Sequence, residues 1–289
     1  MLTRALGVLF TDRVTISDED DDEEDEESEW REPRNWTKLA FDEMSLGHPP
    51  PSGILYYSPL SLWSRLIEEY SLKLITCDTD NLPACSAIAR IFHASAEADL
   101  GSYHAGLWRR SLPKTLCWRR DGRVLDERGS YCAPTWSWAS IHAPVYWPTS
   151  GPDIAMVDAR VAEVDCTTEG SDPFGRVSGG FLKLEARGLL TRIVAVDHLS
   201  GSVSLDDGNG EVEDCIDTID DFVGLEGQSL WLVCIKKHRA EDKLGFCLIL
   251  RPLSLSDTFQ RIGMVEYYGI GQMFAANLEV AERRIFHII

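Results

Sequence analysis

Ala133-Pro-Thr-Trp-Ser-Trp-Ala-Ser140 is the segment at which the character of the chain changes. Upstream of it, apolar residues recur at the spacing of helices. From Thr135 onward, short alternating or apolar runs are separated by clusters of glycine, aspartate and serine, which is typical of strands and turns. The sequence therefore predicts a helix-rich part before this segment and a β-rich part after it.

Three helical segments are predicted upstream. The first begins at Ser58-Pro59, because proline is favoured at the first helical position and the apolar residues that follow share one face. The second opens after Asp80, a residue type favoured at the N-cap. The third covers Tyr103 to Trp118, where Pro113 has to start, end or kink the element.

Downstream, the clearest turn signal is Asp206-Asp-Gly-Asn-Gly210. The candidate strands are Ile154–Val164, Phe181–Leu184, Leu189–Val196, Leu230–Ile235, Gly245–Leu250 and Ile262–Tyr267. Antiparallel pairing is expected to dominate among such short strands. The predicted fold class is therefore α+β, with a helix-rich N-terminal half packed on a β-rich, mostly antiparallel C-terminal half.

The chain divides into three predicted regions. Residues 1–55 contain a strand from Leu6 to Ile16 and an acidic, largely disordered stretch, residues 56–145 form the helical region that ends in the Trp-Ser-Trp segment, and residues 146–289 form the β-rich region. Within Asp18–Glu29 every residue except Ser28 is acidic, and such a block of like charges cannot bury apolar surface. This stretch is either an acidic loop insertion or a segment that attracts a basic partner.

Composition excludes several classes of function. The net charge is -19 and no long tract concentrates lysine and arginine, so nucleic acid is not expected as a partner. No stretch reaches the roughly 18 apolar residues that span a bilayer, so no membrane segment is predicted. The eight cysteines are widely spread, which favours a reducing, cytoplasmic location over a disulfide framework.

Tryptophan-bearing motifs stand out in the middle of the chain. They are Tyr103-His-Ala-Gly-Leu-Trp108, Leu116-Cys-Trp118 and Ala133–Ser140. These segments resemble the region downstream of the HET domain in fungal heterokaryon-incompatibility (HET) proteins, which typically reads Tyr-x-Ala-Gly-Leu-Trp, then a Leu-rich stretch ending in Trp, then Ala-Pro-(Ser/Thr)-Trp-Ser-Trp-Ala-Ser. The resemblance covers residues 60–145 well, and Phe259-Gln-Arg-Ile-Gly263 is similar to a closing strand near the C-termini of family members.

The motifs of the HET domain proper do not occur in this sequence. The resemblance therefore implies the C-terminal regulatory or recognition portion of a HET-type protein, involved in fungal non-self recognition and programmed cell death. It carries over no catalytic residue and no cofactor, so we expect a protein without enzyme activity that contacts another protein. The alternative is an uncharacterised hydrolase or transferase whose site is assembled from scattered residues.

The candidate site residues of these motifs are Trp108, Trp118, Trp136 and Trp138. In a strand, residues two apart point to the same face, so Trp136 and Trp138 would lie side by side. Such a pair forms either a flat aromatic platform for a ligand or partner, or the hydrophobic centre that seats the helices on the sheet. The neighbouring tryptophans supply further aromatic partners and favour the core.

A local positive cluster contains Arg109, Arg110, Lys114, Arg119 and Arg120. In a helix these residues would span about three turns. They form either a solvated face or a contact patch that docks the acidic stretch Asp18–Glu29 of the same chain.

The histidines and cysteines do not have the spacing of a metal site. Zinc ligands usually come in closely spaced pairs, whereas Cys132 with His142 and Cys234 with His238 have no matching second pair. The acidic residues around Asp206–Gly210 lack the register of a calcium loop and are interpreted as a hairpin turn. No metal is predicted.

Overall fold

The computed structural model describes residues 41–43, 45–46, 58–73, 78–121, 127–148, 155–197, 202–205, 211–212, 216–238, 245–253, 257–267 and 277–289. The predicted strand Leu6–Ile16 and the acidic stretch Asp18–Glu29 lie outside the described residues, as does the turn Asp206–Gly210.

The protein is mostly β-sheet, so the predicted α+β class is wrong. Strands account for 40% of the structure and helices for 29%. The first two helical segments predicted upstream are present, whereas Tyr103–Trp118 forms a short hairpin, turns and one turn of 3-10 helix. The helical part of the structure therefore ends much earlier along the chain than the apolar spacing indicates.

The two long helices begin where the sequence signals predict. Helix α1 (Pro59–Ser71) is preceded by Ser58, whose Oγ accepts the amide of Ser61 at 3.2 Å and so caps the helix. Helix α2 (Asn81–Leu100) ends at Gly101, where φ is +72°. The buried face of α1 consists of Leu62, Trp63, Leu66, Ile67 and Tyr70.

The segment after α2 leaves the helical conformation at a tight turn. Ala105 has φ of +45° and Gly106 has φ of +91°, whereas an α-helix requires φ near −63°. These residues connect strand β1 (Tyr103–His104) to strand β2 (Leu107–Trp108), which pair antiparallel. The apolar residues that match a helical period therefore reach the core from a hairpin.

Among the described residues, the remaining strands form one large sheet and one small one. Strands β3 (Arg119–Arg120) and β4 (Val145–Tyr146) make a two-stranded sheet, and the others belong to a nine-stranded sheet. They are β5 (Ala155–Val157), β6 (Arg160–Thr168), β7 (Val177–Asp197), β8 (Ser202–Leu205), β9 (Glu211–Val212), β10 (Ser229–His238), β11 (Gly245–Pro252), β12 (Thr258–Tyr267) and β13 (Arg283–Ile288), with the one-turn helix α3 (Ile219–Phe222) before β10.

Five strands of the large sheet form a closed ring. The pairs β10–β11, β11–β12, β12–β13, β13–β7 and β7–β10 are all hydrogen-bonded, and of these only β12–β13 is parallel. Along β7, Arg187 pairs with β13 and Gly188 pairs with β10. A Cβ at Gly188 would lie 2.7 Å from Phe286 Cζ, so the glycine gives the Phe286 ring room to pack against β7 there.

Both faces of this ring are covered. Along β10, Val233 and Ile235 belong to the main hydrophobic cluster, whereas Leu232 and Cys234 belong to a second cluster on the opposite face. The main cluster also contains the buried faces of α1 and α2 and the motif tryptophans. The helices and one face of the sheet therefore share a single core.

Candidate functional site

The two motifs that carry the resemblance meet at one backbone carbonyl. The oxygen of Gly106 accepts the indole N–H of Trp63 and that of Trp138, each at 3.0 Å. The neighbouring carbonyl of Ala105 accepts the hydroxyl of Ser137 at 2.5 Å. We call this group of residues the tryptophan joint. It ties α1, the β1–β2 turn and the Trp-Ser-Trp segment together.

Glycine is required at the centre of the tryptophan joint. Its φ of +91° disfavours any residue with a side chain. In addition, a Cβ at Gly106 would lie 2.4 Å from Nε1 of Trp138, which is far inside van der Waals contact. The glycine of the first motif therefore exists to let the indole of the last motif approach the backbone.

All four candidate tryptophans are core residues. Trp108, Trp118 and Trp136 are fully buried and Trp138 is 2% exposed, so they do not form a surface platform. Trp136 and Trp138 are not neighbours on a strand, because a 3-10 turn begins at Trp138. Trp118 instead donates its indole N–H to the carbonyl of Trp136 at 3.0 Å.

The five basic candidates do not form one patch. Arg110 and Lys114 are exposed, whereas Arg109 donates to the carbonyl of Val161 and Arg120 is buried. Arg119 lies 3.5 Å from Glu266 of β12. Because the segment is not helical, successive side chains diverge, and the proposed contact with Asp18–Glu29 stays a prediction.

Arg261 connects the motif region to the sheet. It is not among the candidate residues predicted from the sequence. Arg261 of β12 is fully buried and donates to the carbonyls of Leu116 and Trp118, each at 2.7 Å. Its guanidinium lies 3.4 Å from the centre of the Trp118 ring and pairs with Asp217 at 3.0 Å. Burial lowers the pKa of Arg261, and Asp217 opposes that shift. The sequence feature that could have identified Arg261 is the segment Phe259–Gly263, which contains it.

A pocket of about 420 Å³ opens beside the Ala133–Ser140 segment. Its walls are formed by residues 128–135, by residues 178–180 at the beginning of β7 and by Ile289. The lining residues are Arg128, Gly129, Ser130, Tyr131, Cys132, Ala133, Pro134, Thr135, Ser140, Ser178, Gly179, Gly180, Leu253, Gln260 and Ile289. This volume is in the range of small-molecule sites, which are about 300–1,000 Å³.

Glycines shape the floor of the pocket. A Cβ at Gly180 would lie 2.9 Å from Pro134 Cγ, so this glycine allows the motif segment to pack against β7. A Cβ at Gly179 would meet nothing within 4 Å, which leaves the space above it open. Gly179 and Gly180 pair with β6 on one side, while β13 ends its pairing at Leu182 on the other. Among the described strands, that second edge of β7 has no partner at the pocket.

One end of the pocket is polar and charged. Arg128 pairs with Asp221 at 2.6 Å and donates to the hydroxyl of Ser140 at 3.1 Å. Asp221 also accepts from Thr218 at 2.8 Å and from Gln260 at 3.3 Å. Burial raises the pKa of Asp221, and Arg128 only partly opposes this shift. This network fixes the wall of the pocket and leaves the Asp221 carboxylate 2% exposed.

Cys132, His142 and Asn81 lie in a row of contacts beside the pocket. Its Sγ lies 3.7 Å from Nε2 of His142 and 3.3 Å from the carbonyl of Ser130. Nδ1 of His142 lies 3.5 Å from Nδ2 of Asn81. A cysteine, a histidine and an amide in this order invite comparison with a nucleophile and its base.

Asn81 positions the ring of His142. The Asn81 amide N–H₂ donates to the carbonyls of Ala139 and Ile141, at 3.3 and 3.2 Å, and this fixes which end of the amide faces the ring. Both amide protons are directed at these carbonyls, and Nδ2 packs against Nδ1 of His142. The Cys132 thiol is directed at the carbonyl of Ser130, which is nearer to Sγ than the ring is.

Two classes of feature are absent from the described residues. They contain no group of three or more histidines, cysteines, aspartates and glutamates that could hold a metal ion. They also contain no helix that is long and apolar enough to cross a membrane.

Comparison of the chain with protein-family models, with curated proteins and with solved structures finds no match.

Proposed function

We propose that the chain is the C-terminal recognition portion of a HET-type protein and acts in fungal non-self recognition without catalysis of its own. The observation that supports this most is the tryptophan joint, in which Tyr103–Trp108 and Ala133–Ser140 are hydrogen-bonded through Gly106. Motifs that are distant in sequence and build one buried joint have a structural role. The Ala133–Ser140 segment also lines the pocket, at Ala133, Pro134, Thr135 and Ser140.

Recognition fits the pocket better than catalysis does. The pocket combines a polar end at Arg128 with apolar walls at Ala133, Pro134 and Leu253, which suits binding. The thiol at its side, that of Cys132, is directed at the carbonyl of Ser130 at 3.3 Å, and Nε2 of His142 lies farther away at 3.7 Å. The partner in this proposal is another protein, in the cytoplasm, where reduced thiols such as Cys117 and Cys247 persist.

A hyphal fusion assay tests this function. The chain would be expressed in a filamentous fungus, alone and joined to a HET domain, and paired with isolates that differ at incompatibility loci. We expect fusion cells to die, as scored by uptake of a vital dye, in at least one pairing that survives without the chain. A protein that is folded and expressed yet changes no pairing would contradict the proposal.

A hydrolase or transferase is the second candidate, favoured by the presence of Cys132 and His142 beside a pocket. Activated esters and thioesters would be tested for turnover by the purified chain and by Cys132→Ala. Multiple turnovers that Cys132→Ala abolishes would favour the enzyme. We expect no turnover, because the Cys132 thiol is only 8% exposed and its proton is directed at the carbonyl of Ser130.

A further inference from the structure

Cys234 and Cys247 face each other across two neighbouring strands of the large sheet. Cys234 of β10 is the registered partner of Cys247 of β11, and the two strands run antiparallel. Both side chains belong to the second hydrophobic cluster, so they project from the same face of the sheet, and both thiols are free. Among the strand pairs of the described residues, this is the one position where two cysteines lie opposite each other.

The register brings the two thiols close enough to be bridged. Directly opposite residues of an antiparallel pair have Cα atoms about 4.5–5.5 Å apart, and disulfides join cysteines whose Cα atoms lie about 4.4–6.8 Å apart. The pKa of the Cys247 thiol is raised by burial and further by the neighbouring Cys234. Cys247 therefore keeps its proton, and the first step of any oxidation falls to Cys234.

A small cavity borders the cysteine pair on the same face of the sheet. Its volume is about 10 Å³, and its lining residues are Thr191, Ile193, Val203, Leu230, Leu232, Ile249 and Val265. Leu232 and Ile249 are the next residues on this face of β10 and β11, and Val265 is the registered partner of Cys247. The cavity therefore lies beside the row of side chains that contains the two thiols.

A buried hydroxyl makes this cavity suitable for a small polar guest. Thr191 is 9% exposed, and among the described residues its Oγ1 finds no hydrogen-bond partner. A guest that donates or accepts a hydrogen bond relieves the cost of such an unsatisfied group. The volume is that of a guest about the size of water, which excludes large oxidants such as glutathione disulfide. The oxidant that fits is therefore hydrogen peroxide.

We propose that Cys234 and Cys247 are a redox pair, which hydrogen peroxide admitted through this cavity oxidises to a disulfide between β10 and β11. The Cys234 thiol first loses its proton, and the thiolate attacks one oxygen of the peroxide. A sulfur–oxygen bond forms, which gives a sulfenic acid, and the O–O bond breaks. The other oxygen leaves as hydroxide and takes up the proton to become water.

The Cys247 sulfur then closes the disulfide. It attacks the sulfur of the Cys234 sulfenic acid, so that the S–S bond forms and the S–O bond breaks. The departing hydroxide takes the proton of Cys247 and becomes a second water. The two sulfurs together lose two electrons, and the peroxide gains them. The disulfide then holds β10 to β11 and restricts the unfolded chain, which stabilises the folded state.

Peptide mapping after mild oxidation tests the proposal. The native chain would be reduced, freed of reductant, treated with a small excess of hydrogen peroxide, blocked with N-ethylmaleimide in denaturant and digested without reductant. We expect the main disulfide to join Cys234 to Cys247. Its absence, or a main disulfide from either of them to another cysteine, would overturn the proposal. Because the mapping uses the native chain, it decides the matter even where a variant fails to fold.

Alanine variants test whether both sulfurs are needed. In Cys247→Ala the oxidation should stop at the Cys234 sulfenic acid, which dimedone traps. Cys85→Ala is the matched control, because it removes an equally buried thiol from α2, and it should form the disulfide at the native rate. Equal loss of the disulfide in the two variants would contradict a specific pair.

The melting temperature gives a second readout. Oxidation should raise the melting temperature of the native chain by about 5 °C or more, since the disulfide closes a loop in the unfolded state, and reduction should reverse the rise. Cys247→Ala treated in the same way should show no rise. A rise of the same size in this variant would show that the disulfide is not its cause.

Filling the cavity tests the route of the oxidant. Val203→Ile adds one methylene to a lining residue and should slow formation of the disulfide several-fold. Val161→Ile makes the same change at a buried position of β6 that does not line the cavity, and it should leave the rate unchanged. Equal rates in the native chain and in a folded Val203→Ile chain would overturn the route through the cavity. These outcomes do not depend on what the fusion assay shows about HET-type function.

Discussion

At the scale of single residues, the oxygen of Gly106 determines how the two motifs pack. It accepts two indole N–H groups at 3.0 Å, one from α1 and one from the Trp-Ser-Trp segment. The absence of a side chain at this position is as important as the carbonyl, because Trp138 occupies the space that a Cβ would need. This explains why a motif that is read as Ala-Gly-Leu-Trp contains its glycine.

Substitution of Gly106 should be strongly destabilising. We expect Gly106→Ala to lower the free energy of unfolding by about 3 kcal/mol or more, because a clash with buried Trp138 adds to an unfavourable positive φ. Urea titration followed by tryptophan fluorescence measures this. Gly179→Ala is the control, since a Cβ there meets nothing within 4 Å, and it should change stability by less than about 1 kcal/mol. Equal effects of the two changes would contradict the role of Gly106.

Arg261 and Asp217 should behave as a coupled pair. Arg261→Met should cost about 3–5 kcal/mol, because it leaves the buried Asp217 carboxylate without its charge partner. The double change Arg261→Met with Asp217→Asn should cost less than the sum of the two single changes. Chemical denaturation of the four proteins provides the double-mutant cycle. Additive losses would show that the two side chains do not depend on each other.

The buried carboxyl of Asp221 should impose a pH dependence on stability. Burial raises its pKa above the usual 3.8, so the folded state holds the proton to a higher pH than the unfolded state does. Ionisation then costs stability as pH rises from the unfolded value through the raised folded value. We expect the stability of the native chain relative to Asp221→Asn to fall over that interval and to level off above it. Urea unfolding of both proteins from pH 3 to 7 tests this, and a rising difference would have the wrong sign.

At the scale of elements, α1 is attached to the rest of the molecule through the tryptophan joint. Trp63 packs edge-on against Phe92 of α2 and against Trp108 of β2, with ring centres 5.2 and 5.5 Å apart. Its indole N–H reaches across to Gly106. The helix is therefore positioned by one side chain that makes both aromatic contacts and a directional hydrogen bond.

Trp63→Phe and Trp138→Phe should show a non-additive effect. Each single change leaves one indole on the carbonyl of Gly106, whereas both together leave a buried acceptor without a partner. We expect the double variant to lose about 1–3 kcal/mol more than the sum of the single losses, the cost of an unsatisfied buried polar group. Guanidinium unfolding followed by far-UV circular dichroism measures it. A purely additive result would mean that the two hydrogen bonds are independent.

Strand β7 is the element that organises the sheet. It pairs with β6, β13, β10 and β8 along its length. At Gly188 the pairing with β13 ends and the pairing with β10 begins. The same strand contributes the floor of the pocket at residues 178–180. The pairing of β13 with β7 stops at Leu182 and does not reach the first residues of β7. The pocket lies beside those first residues.

At the scale of the whole molecule, helices and sheet share the main core. The cluster includes Trp63 of α1, Phe92 of α2, Leu184 of β7 and Phe286 of β13. We therefore expect one cooperative thermal transition, with circular dichroism at a helical wavelength and tryptophan fluorescence giving the same midpoint. Size-exclusion chromatography would report the assembly state. Two separated transitions would show that the helical part and the sheet are independent units.

Much of the local structure could be predicted from the sequence. Ser58-Pro59 and the period of the residues after it correctly predict α1, and apolar alternation locates β10, β11 and β12. Local signals suffice there because a cap or an alternating run acts within a few residues. Strand β13 was missed, since Arg283-Arg-Ile-Phe-His-Ile288 shows little alternation and is held by pairing with β7 and β12.

The candidate site was only partly predictable. Trp108, Trp118, Trp136 and Trp138 were recognised as important from their motifs, but burial decided that they form core and not a platform. The sequence predicts no metal site at Cys132 and His142, because no second pair of ligands matches them. The structure places Cys132 in the wall of the pocket, and the ring of His142 contacts Asn81, which is 61 positions away in the chain.

Local patterns in the sequence predict where α1 and α2 begin, where the β-rich part lies and which tryptophans matter. Long-range packing sets the rest: Tyr103–Trp118 is not helical, five strands close into a ring, and Arg261 connects the motif region to the sheet. The two groups differ in the range of the interactions. Capping and periodicity act between neighbouring residues, whereas strand pairing and buried hydrogen bonds join residues more than a hundred positions apart.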